Sequence, residues 1–540
     1  MLEGLFRTKS LEQLKASAED PHHQLKRKLS AFDLTMFGIG AIIGAGIFST
    51  IGTAAAGNLA DGRPGAGPAL ILSFVLTAVA CGFTALCYAE LSSMIPVSGS
   101  AYTYAYATLG ELMAWIIGWD LVLEYAVSNV AVAISWGDYA RSLLDNLGLH
   151  IPGWLAIDPR TALTLSEGWL KQAALAAQPG LGVRMDLLAQ AHQGLVDGGQ
   201  VFAYWASVKD APLVGGFPVT VNLLAVLITG LVTAVCVWGI KESSRVNSVM
   251  VVVKLVVLLG VIAMGAAYVD TKNWHPFTPN GFKGIQAGAA IIFFAFIGFD
   301  AVSTTAQECR DPGRDLPRGI LWSLGICTAI YVLVTAVVTG MVHYTELAGK
   351  ADPLAYVFEK HHLNGLAGVI SVGAVIATAA CLLVYQLGQP RILMAMSNDG
   401  LLGRWFGRIH PKHGTPSNAT WLTGLVVALP AALMNIGEVV ELSNIGTLFA
   451  FAIVCGGMLI LRVRRPDAVR RFKTPLPWVI GPAGILSCFW LAAGLPTVTF
   501  VRFLIWLGVG LVVYLAFGVR NSRVRAAAAQ AGGAQPGPQP

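Results

Sequence analysis

Long apolar runs recur along this chain, and they constrain its fold more than any other feature. A hydrocarbon layer ~30 Å thick is crossed by roughly 20 apolar residues in a helix, and runs of that order occur twelve times. They fall at 32–58, 66–94, 101–139, 218–239, 246–269, 285–306, 318–343, 364–390, 418–435, 441–461, 477–496 and 500–519. Val219 to Ile240 and Gly319 to Val342 contain no charged residue at all. Only 12% of the 540 residues are charged, against ~25% in soluble domains. The pattern predicts an all-α polytopic membrane protein with about twelve transmembrane helices.

Lys and Arg in the connections predict the orientation. Lys26-Arg27-Lys28, Lys241/Arg245, Arg310/Arg314/Arg318, Arg404/Arg408/Lys412, Arg462 to Lys473 and Arg520/Arg523/Arg525 fall on one side. The other side holds Arg63, Lys272, Lys283, Lys350 and Lys360. Both termini are therefore expected in the cytoplasm, with no cleaved signal peptide. High Ala, Gly and Arg usage points to a bacterial inner membrane. The net charge of +6 is spread over span ends, which argues against nucleic acid. The eight cysteines lack metal or redox spacing.

The expected organisation is a cytoplasmic segment 1–30, a first five-helix unit 31–269 and a second unit 285–461, followed by two further helices in 475–519 and a disordered tail 520–540. A polar insert at 141–217 interrupts the first unit on the outer side, and its stretches 165–177 and 185–196 are candidate amphipathic helices.

Two spans are chemically unusual. The first contains Gly38-Ile39-Gly40-Ala41-Ile42-Ile43-Gly44-Ala45-Gly46, and Gly44-Ala45-Gly46 is a natural place for a helix to unwind. An unwound turn bares N–H groups at the positive end of the following half-helix, where a carboxylate fits. The sixth contains Phe293-Phe294-Ala295-Phe296-Ile297-Gly298-Phe299-Asp300. A half-helix ending there exposes carbonyl oxygens suited to an ammonium. Matching interruptions in the two halves of a transporter point to a central substrate site. Lys254 is the only charge between Arg245 and Asp270, deep in the fifth span. Intramembrane charges of this kind are costly and are functional candidates. Glu124 lies one turn after Asp120 in the third span, on the same face. Thr378, Tyr385 and Gln386 are further pocket candidates whose faces the sequence leaves open.

The segments FGIGAIIGAGIF at 37–48, YAELSSMIPVSGSAYTY at 88–104, GWDLVLEYAV at 118–127, FFAFIGFDAVSTTAQE at 293–308, DPGRDLPRGI at 311–320 and GQPRILMAMSNDGLL at 388–402 together resemble the amino acid–polyamine–organocation superfamily, within its cationic amino acid transporter branch. The resemblance runs from Leu29 to about Val519, apart from the insert. It implies a LeuT-like fold of two inverted five-helix repeats (5+5), with helices 11 and 12 peripheral. It places the substrate carboxylate at Ile42, Gly44, Ala45 and Gly46, and the ammonium at Phe294, Ala295 and Ile297, with Phe294 as a lid. Asp300 and Glu124 match acidic positions beside the pocket. Ala45 stands where some members carry Ser or Thr, so a hydroxyl contact is absent. In proton-coupled relatives a lysine matching Lys254 occupies the place of a sodium ion and touches helix 1.

The function so implied is secondary active transport, as proton-coupled symport of neutral or cationic L-amino acids by alternating access. An exchanger or a non-transporting amino acid sensor of the same fold is the alternative. Expected partners are the amino acid, the proton and the lipid bilayer, with a small single-span membrane protein as a further candidate. No cofactor, metal or catalytic group is expected. The chain lacks a G-x-x-x-x-G-K-[ST] loop for ATP and any HExxH or GxSxG arrangement for an enzyme.

Overall fold

The computed structural model describes residues 7–9, 29–58, 63–97, 99–159, 161–162, 211–214, 217–238, 243–411 and 415–523. The Lys26-Arg27-Lys28 tract, Lys241, most of the polar insert with both of its candidate helices, and the tail beyond Arg523 lie outside these residues.

The described chain is almost entirely helical. Eight helices are long and apolar enough to cross a membrane, and a ninth span is a bent pair. Three shorter apolar helices, Leu223–Trp238, Ser417–Leu433 and Pro477–Ala492, occupy the remaining expected positions. At 16 or 17 residues they fall short of the usual crossing length, where the sequence predicted full spans. The only strands among the described residues are two-residue pairings, Gly57–Asn58 with Arg63–Pro64 and Leu213–Val214 with Phe217–Pro218. This is a multi-pass, all-α membrane protein.

The first span consists of α1 (Ala31–Ile42) and α2 (Ala45–Ala56), bent by 41° at the break. A capping box starts α1: the Ser30 hydroxyl accepts from the Asp33 N–H, and the Asp33 carboxylate accepts from the Ser30 N–H at 2.9 Å. The second span is α3 (Leu70–Met94). The expected third span at 101–139 is instead a short helix, α4 (Ser100–Thr108), followed by α5 (Glu111–Asn146). The insert therefore begins after Asn146 rather than at 141. Helix α5 stays regular because its interior has no Pro and its polar residues Asp120, Glu124, Ser128 and Asn129 are buried against neighbours.

After α6 (Leu223–Trp238) and α7 (Ser243–Gly265) comes the sixth span, beginning as α8 (Gly281–Ile292). It tightens into 3-10 geometry over Phe293–Phe296, unwinds, and resumes as a 3-10 helix over Asp300–Glu308. The sequence predicted a break near Gly298; the non-α stretch is longer and begins five residues earlier. Next come α9 (Pro312–Met341), α10 (Pro353–Lys360), α11 (Asn364–Asn398), α12 (Ser417–Leu433) and α13 (Ile436–Arg464). The last two spans begin with α14 (Pro477–Ala492) and α15 (Thr497–Val513).

Helices α5 and α11 pack together most extensively, and α1 lies against α9. The most apolar stretch of the sixth span is 94% buried, whereas that of the last is 17% buried. The broken helices are thus central and the final helix faces lipid, as expected for an apolar surface with no protein covering it.

The arginine-rich connections gather at one end of the bundle. Leu29 bridges to Cys309, Arg471 pairs with Asp311 at 2.7 Å, and Arg391 lies 3.4 Å from Glu308. Glu90 at the end of α3, 1% exposed, accepts from Arg462, Arg470 and the Thr474 N–H. Asp399 pairs with Lys9 and accepts from the Tyr102 hydroxyl at 2.6 Å. At the opposite end Arg63 pairs with Glu441.

Candidate substrate site between two broken helices

The break between α1 and α2 leaves the last carbonyls of α1 without helical partners. Side chains from three other spans supply donors. Lys254 Nζ donates to the carbonyls of Gly40 at 2.7 Å and Ile43 at 2.8 Å. The Tyr331 hydroxyl donates to Ile42 O at 3.0 Å, and Cys381 Sγ to Ala41 O at 3.2 Å. Four consecutive carbonyls are satisfied. Lys254 is fully buried and reaches helix 1 as the sequence resemblance implied. Its neighbours include the thiols of Cys327 and Cys381.

The far side of the same break is different. Gly44 takes an extended conformation, and no side chain caps the start of α2. Ala45 and Gly46 form the first turn of α2, at the positive end of that half-helix. Lower in α2, the Tyr139 hydroxyl anchors the Phe48 carbonyl at 2.6 Å.

In the sixth span, the end of α8 is held by Asn444, whose amide donates to Ala290 O at 2.7 Å and Ile291 O at 3.3 Å. The Tyr385 hydroxyl donates to Ile297 O at 3.1 Å, and Ile297 N–H donates to Phe294 O at 3.3 Å. Asp300 turns back on its own loop, its carboxylate accepting from the Gly298 N–H at 3.2 Å.

The two breaks touch each other. A Cβ added to Gly46 would lie 2.3 Å from Ala295 Cα, so only glycine allows this approach. Gly298 has φ +119°, and a Cβ there would lie 2.9 Å from the carbonyl carbon of Ala41. The residue after the first break therefore meets the residue before the second, and the reverse holds on the other side. Ile42, Ala45, Phe294, Ala295 and Ile297 are all at least 95% buried. In this conformation these side chains are shielded from solvent.

The structure groups Glu124 with Asp300 and Asp120, within electrostatic reach of one another, rather than with Lys254. Among the described residues, neither Glu124 nor Asp120 has a hydrogen-bond partner of good geometry; the Thr447 hydroxyl beside Glu124 is committed to Ser443 O at 3.0 Å. The tyrosines Tyr88, Tyr125 and Tyr385 surround this acidic group. Of the open candidates, Tyr385 reaches the sixth-span break, and Gln386 bridges Asn129 at 3.2 Å and Thr233 at 2.9 Å. Thr378 bonds back to its own helix at Ala374 O, 2.7 Å away.

Sequence reasoning did not single out Asn444, Tyr331 or Cys381. Asn444 was detectable as an amide inside an apolar span. Tyr331 and Cys381 are ordinary membrane residues, and nothing local marks them as caps.

Two helix breaks that touch inside a multi-pass bundle are an arrangement suited to a membrane carrier for a small solute. Residues 29–516 match the family model described as amino acid permease, and the chain belongs to that family. It is 43% identical over 521 residues to the branched-chain amino acid permease BcaP of Bacillus subtilis, covering 96% of this chain and 99% of that protein. It is 40% identical, with the same coverage, to the methylthioribose transporter of the same organism. A vacuolar cationic amino acid transporter 2 of Arabidopsis thaliana is 36% identical over 88% of this chain and 65% of its own length. The chain is an amino acid transporter and not an enzyme. The family resemblance read from the glycine-rich and acidic motifs is thus borne out.

Proposed function

We propose that the chain is a proton-coupled symporter of L-amino acids that works by alternating access, with helices 1–5 and 6–10 as inverted repeats. The observation that carries this reading is the crossed contact of the two breaks, Gly46 on Ala295 and Gly298 on Ala41. Such a reciprocal pair is what a pseudo-two-fold axis in the membrane plane would generate. The substrate carboxylate takes the uncapped N–H groups of Gly44, Ala45 and Gly46. The ammonium takes carbonyls of Phe294, Ala295 and Ile297, displacing the Tyr385 and Ile297 N–H bonds as the site opens.

Lys254 is the coupling residue in this scheme. As an ammonium it holds the Gly40 and Ile43 carbonyls; as an amine it has one fewer hydrogen and no charge to do so, which frees α1 to swing. The apolar side chains of Ile42, Phe294 and Ile297 suit a neutral, branched substrate, in keeping with the name of BcaP. The carboxyls of Glu124 and Asp120 favour a second reading, in which a cationic side chain is also accepted. The arginine-rich end, with Lys9 and Arg523 beside Asp399, supports cytoplasmic termini in a bacterial inner membrane. The lipid-facing sides of α14 and α15, where Leu486, Phe489 and Leu504 are exposed, are open to a small single-span partner.

Proteoliposomes carrying the purified chain provide the test. An inward proton gradient should drive accumulation of labelled leucine, and Lys254→Ala should abolish the drive. Uptake that is indifferent to the gradient but strictly dependent on internal amino acid would establish an exchanger instead. A thermal-shift screen of the twenty amino acids, with methylthioribose alongside, identifies the substrate. Stabilisation by methylthioribose alone would refute amino acid recognition at the breaks.

A further inference from the structure

A cavity of about 490 Å³ lies at the arginine-rich end, between the start of α9 and the loop that follows α13. This is within the ~300–1,000 Å³ range of small-molecule sites. Its walls include Arg314, Arg318 and Arg471, with Leu321, Trp322 and Phe472. Arg314, Arg318 and Trp322 are spaced four residues apart and so form one stripe along α9. All three are exposed, Trp322 by 64%. Asp311, also in the wall, pairs with Arg471 at 2.7 Å. Among the described residues no carboxylate forms an ion pair with Arg314 or Arg318, and Asp315 on the same helix does not line the cavity. Among the described residues, the two guanidinium groups thus have no carboxylate partner in this concave site.

The charge and the apolar wall together select an occupant. Guanidinium forks match phosphate oxygens in bidentate fashion. Tryptophan on a lipid-facing helix sits at the headgroup level. A phosphate alone would satisfy the arginines but leave the Leu321 and Trp322 surface unused. We propose that this cavity binds the headgroup of an acidic phospholipid, with Arg314 and Arg318 on its phosphate and Trp322 and Leu321 along its acyl chains. The site depends on the chain lying in a bilayer and on neither its substrate nor its coupling ion.

Because α9 packs on α1, a lipid held here would brace the helix against which the first half-helix moves.

The test uses the full chain, stripped of lipid in detergent and titrated with phosphatidylglycerol, phosphatidylcholine or inorganic phosphate under native mass spectrometry. Phosphatidylglycerol should bind at least tenfold more tightly than phosphatidylcholine. The Arg314→Gln/Arg318→Gln double variant should weaken it by roughly 10–30-fold, and millimolar phosphate should not displace it. Equal binding of the two lipids, or an unchanged double variant, would overturn the proposal. Displacement by phosphate at equal concentration would overturn it in favour of a free-anion site. If the double variant does not elute as a single species, Trp322→Ala carries the test. Phosphatidylglycerol binding weakened roughly two- to tenfold supports the site, and unchanged binding refutes it. Transport is not the readout, so failure here is separate from failure of the symport reading.

Discussion

At the first helix break, four successive carbonyls, Gly40 to Ile43, are capped by side chains from the fifth, seventh and eighth spans, and two of the four bonds come from one buried lysine. At the second, the caps are an amide, a phenol and a carboxylate that folds back on its own loop. Both breaks meet the same requirement, since an unsatisfied backbone group in hydrocarbon costs several kcal/mol. Their chemistry differs. The first is held by a group that can gain or lose a proton while remaining in place. The second is held mainly by neutral donors, with the Asp300 carboxylate as a further, ionisable cap. In the proposed symport scheme, this asymmetry lets the pair of breaks be driven through the first, with the proton acting on α1 and the sixth span following through the Gly46–Ala295 contact.

Substitutions can break this contrast or sharpen it. Lys254→Ala should have the largest effect. It strips donors from two buried carbonyls, each worth ~1–3 kcal/mol when left unpaired, and removes the cationic cap of the first break. Gradient-driven uptake in proteoliposomes should fall roughly 100-fold or more. Retention of most of the pH-driven accumulation would erase the proposed difference between the breaks.

Gly46→Ala should come next. Its methyl group would overlap the Ala295 backbone, and overpacking costs ~1–3 kcal/mol. Substrate-induced thermal shifts should require roughly 10- to 100-fold more ligand. An unperturbed shift would mean that the breaks do not move as a touching pair.

Asn444→Ala should lower uptake about tenfold, from the loss of bonds to Ala290 and Ile291. The pH profile should keep its shape, because the lost donor is neutral. A changed profile would show that the sixth-span break also senses protons.

Tyr331→Phe removes one hydroxyl from the first break, worth ~0.5–1.5 kcal/mol. Uptake should drop a few-fold, and the thermal transition should fall by a few degrees.

The smallest effect is expected from Lys9→Ala. The ion pair of Lys9 with Asp399 is partly exposed and worth ~0–1 kcal/mol. Initial uptake rates should change by no more than about threefold.

Much of this was legible in sequence because membrane physics leaves few choices. Uncharged runs of about 20 residues must be helices, and glycines clustered around residue 44 sit where an otherwise apolar helix can open. Lys254 stood out because a charge inside such a run needs a partner. The length of the second break was less legible, since Phe293–Phe296 has the composition of a regular membrane helix. Its 3-10 geometry arises from tertiary contacts, among them Asn444 and Ala295 against Gly46. The split at 108–111 was missed for a related reason. The chain turns there at Gly110, with φ +101°, but a lone glycine in a membrane span is as common in straight helices, and the contact that holds the turn, Glu111 accepting from the Tyr514 hydroxyl, is some four hundred residues away.

The central claim is that bare amides of one break and carbonyls of the other recognise the two charged ends of a single amino acid. Competition of labelled leucine binding by matched analogues tests it most directly. L-Leucine should compete fully, whereas the amine lacking its carboxylate and the acid lacking its ammonium should each be at least a hundredfold weaker. Competition by either analogue as strong as that of leucine would contradict the account.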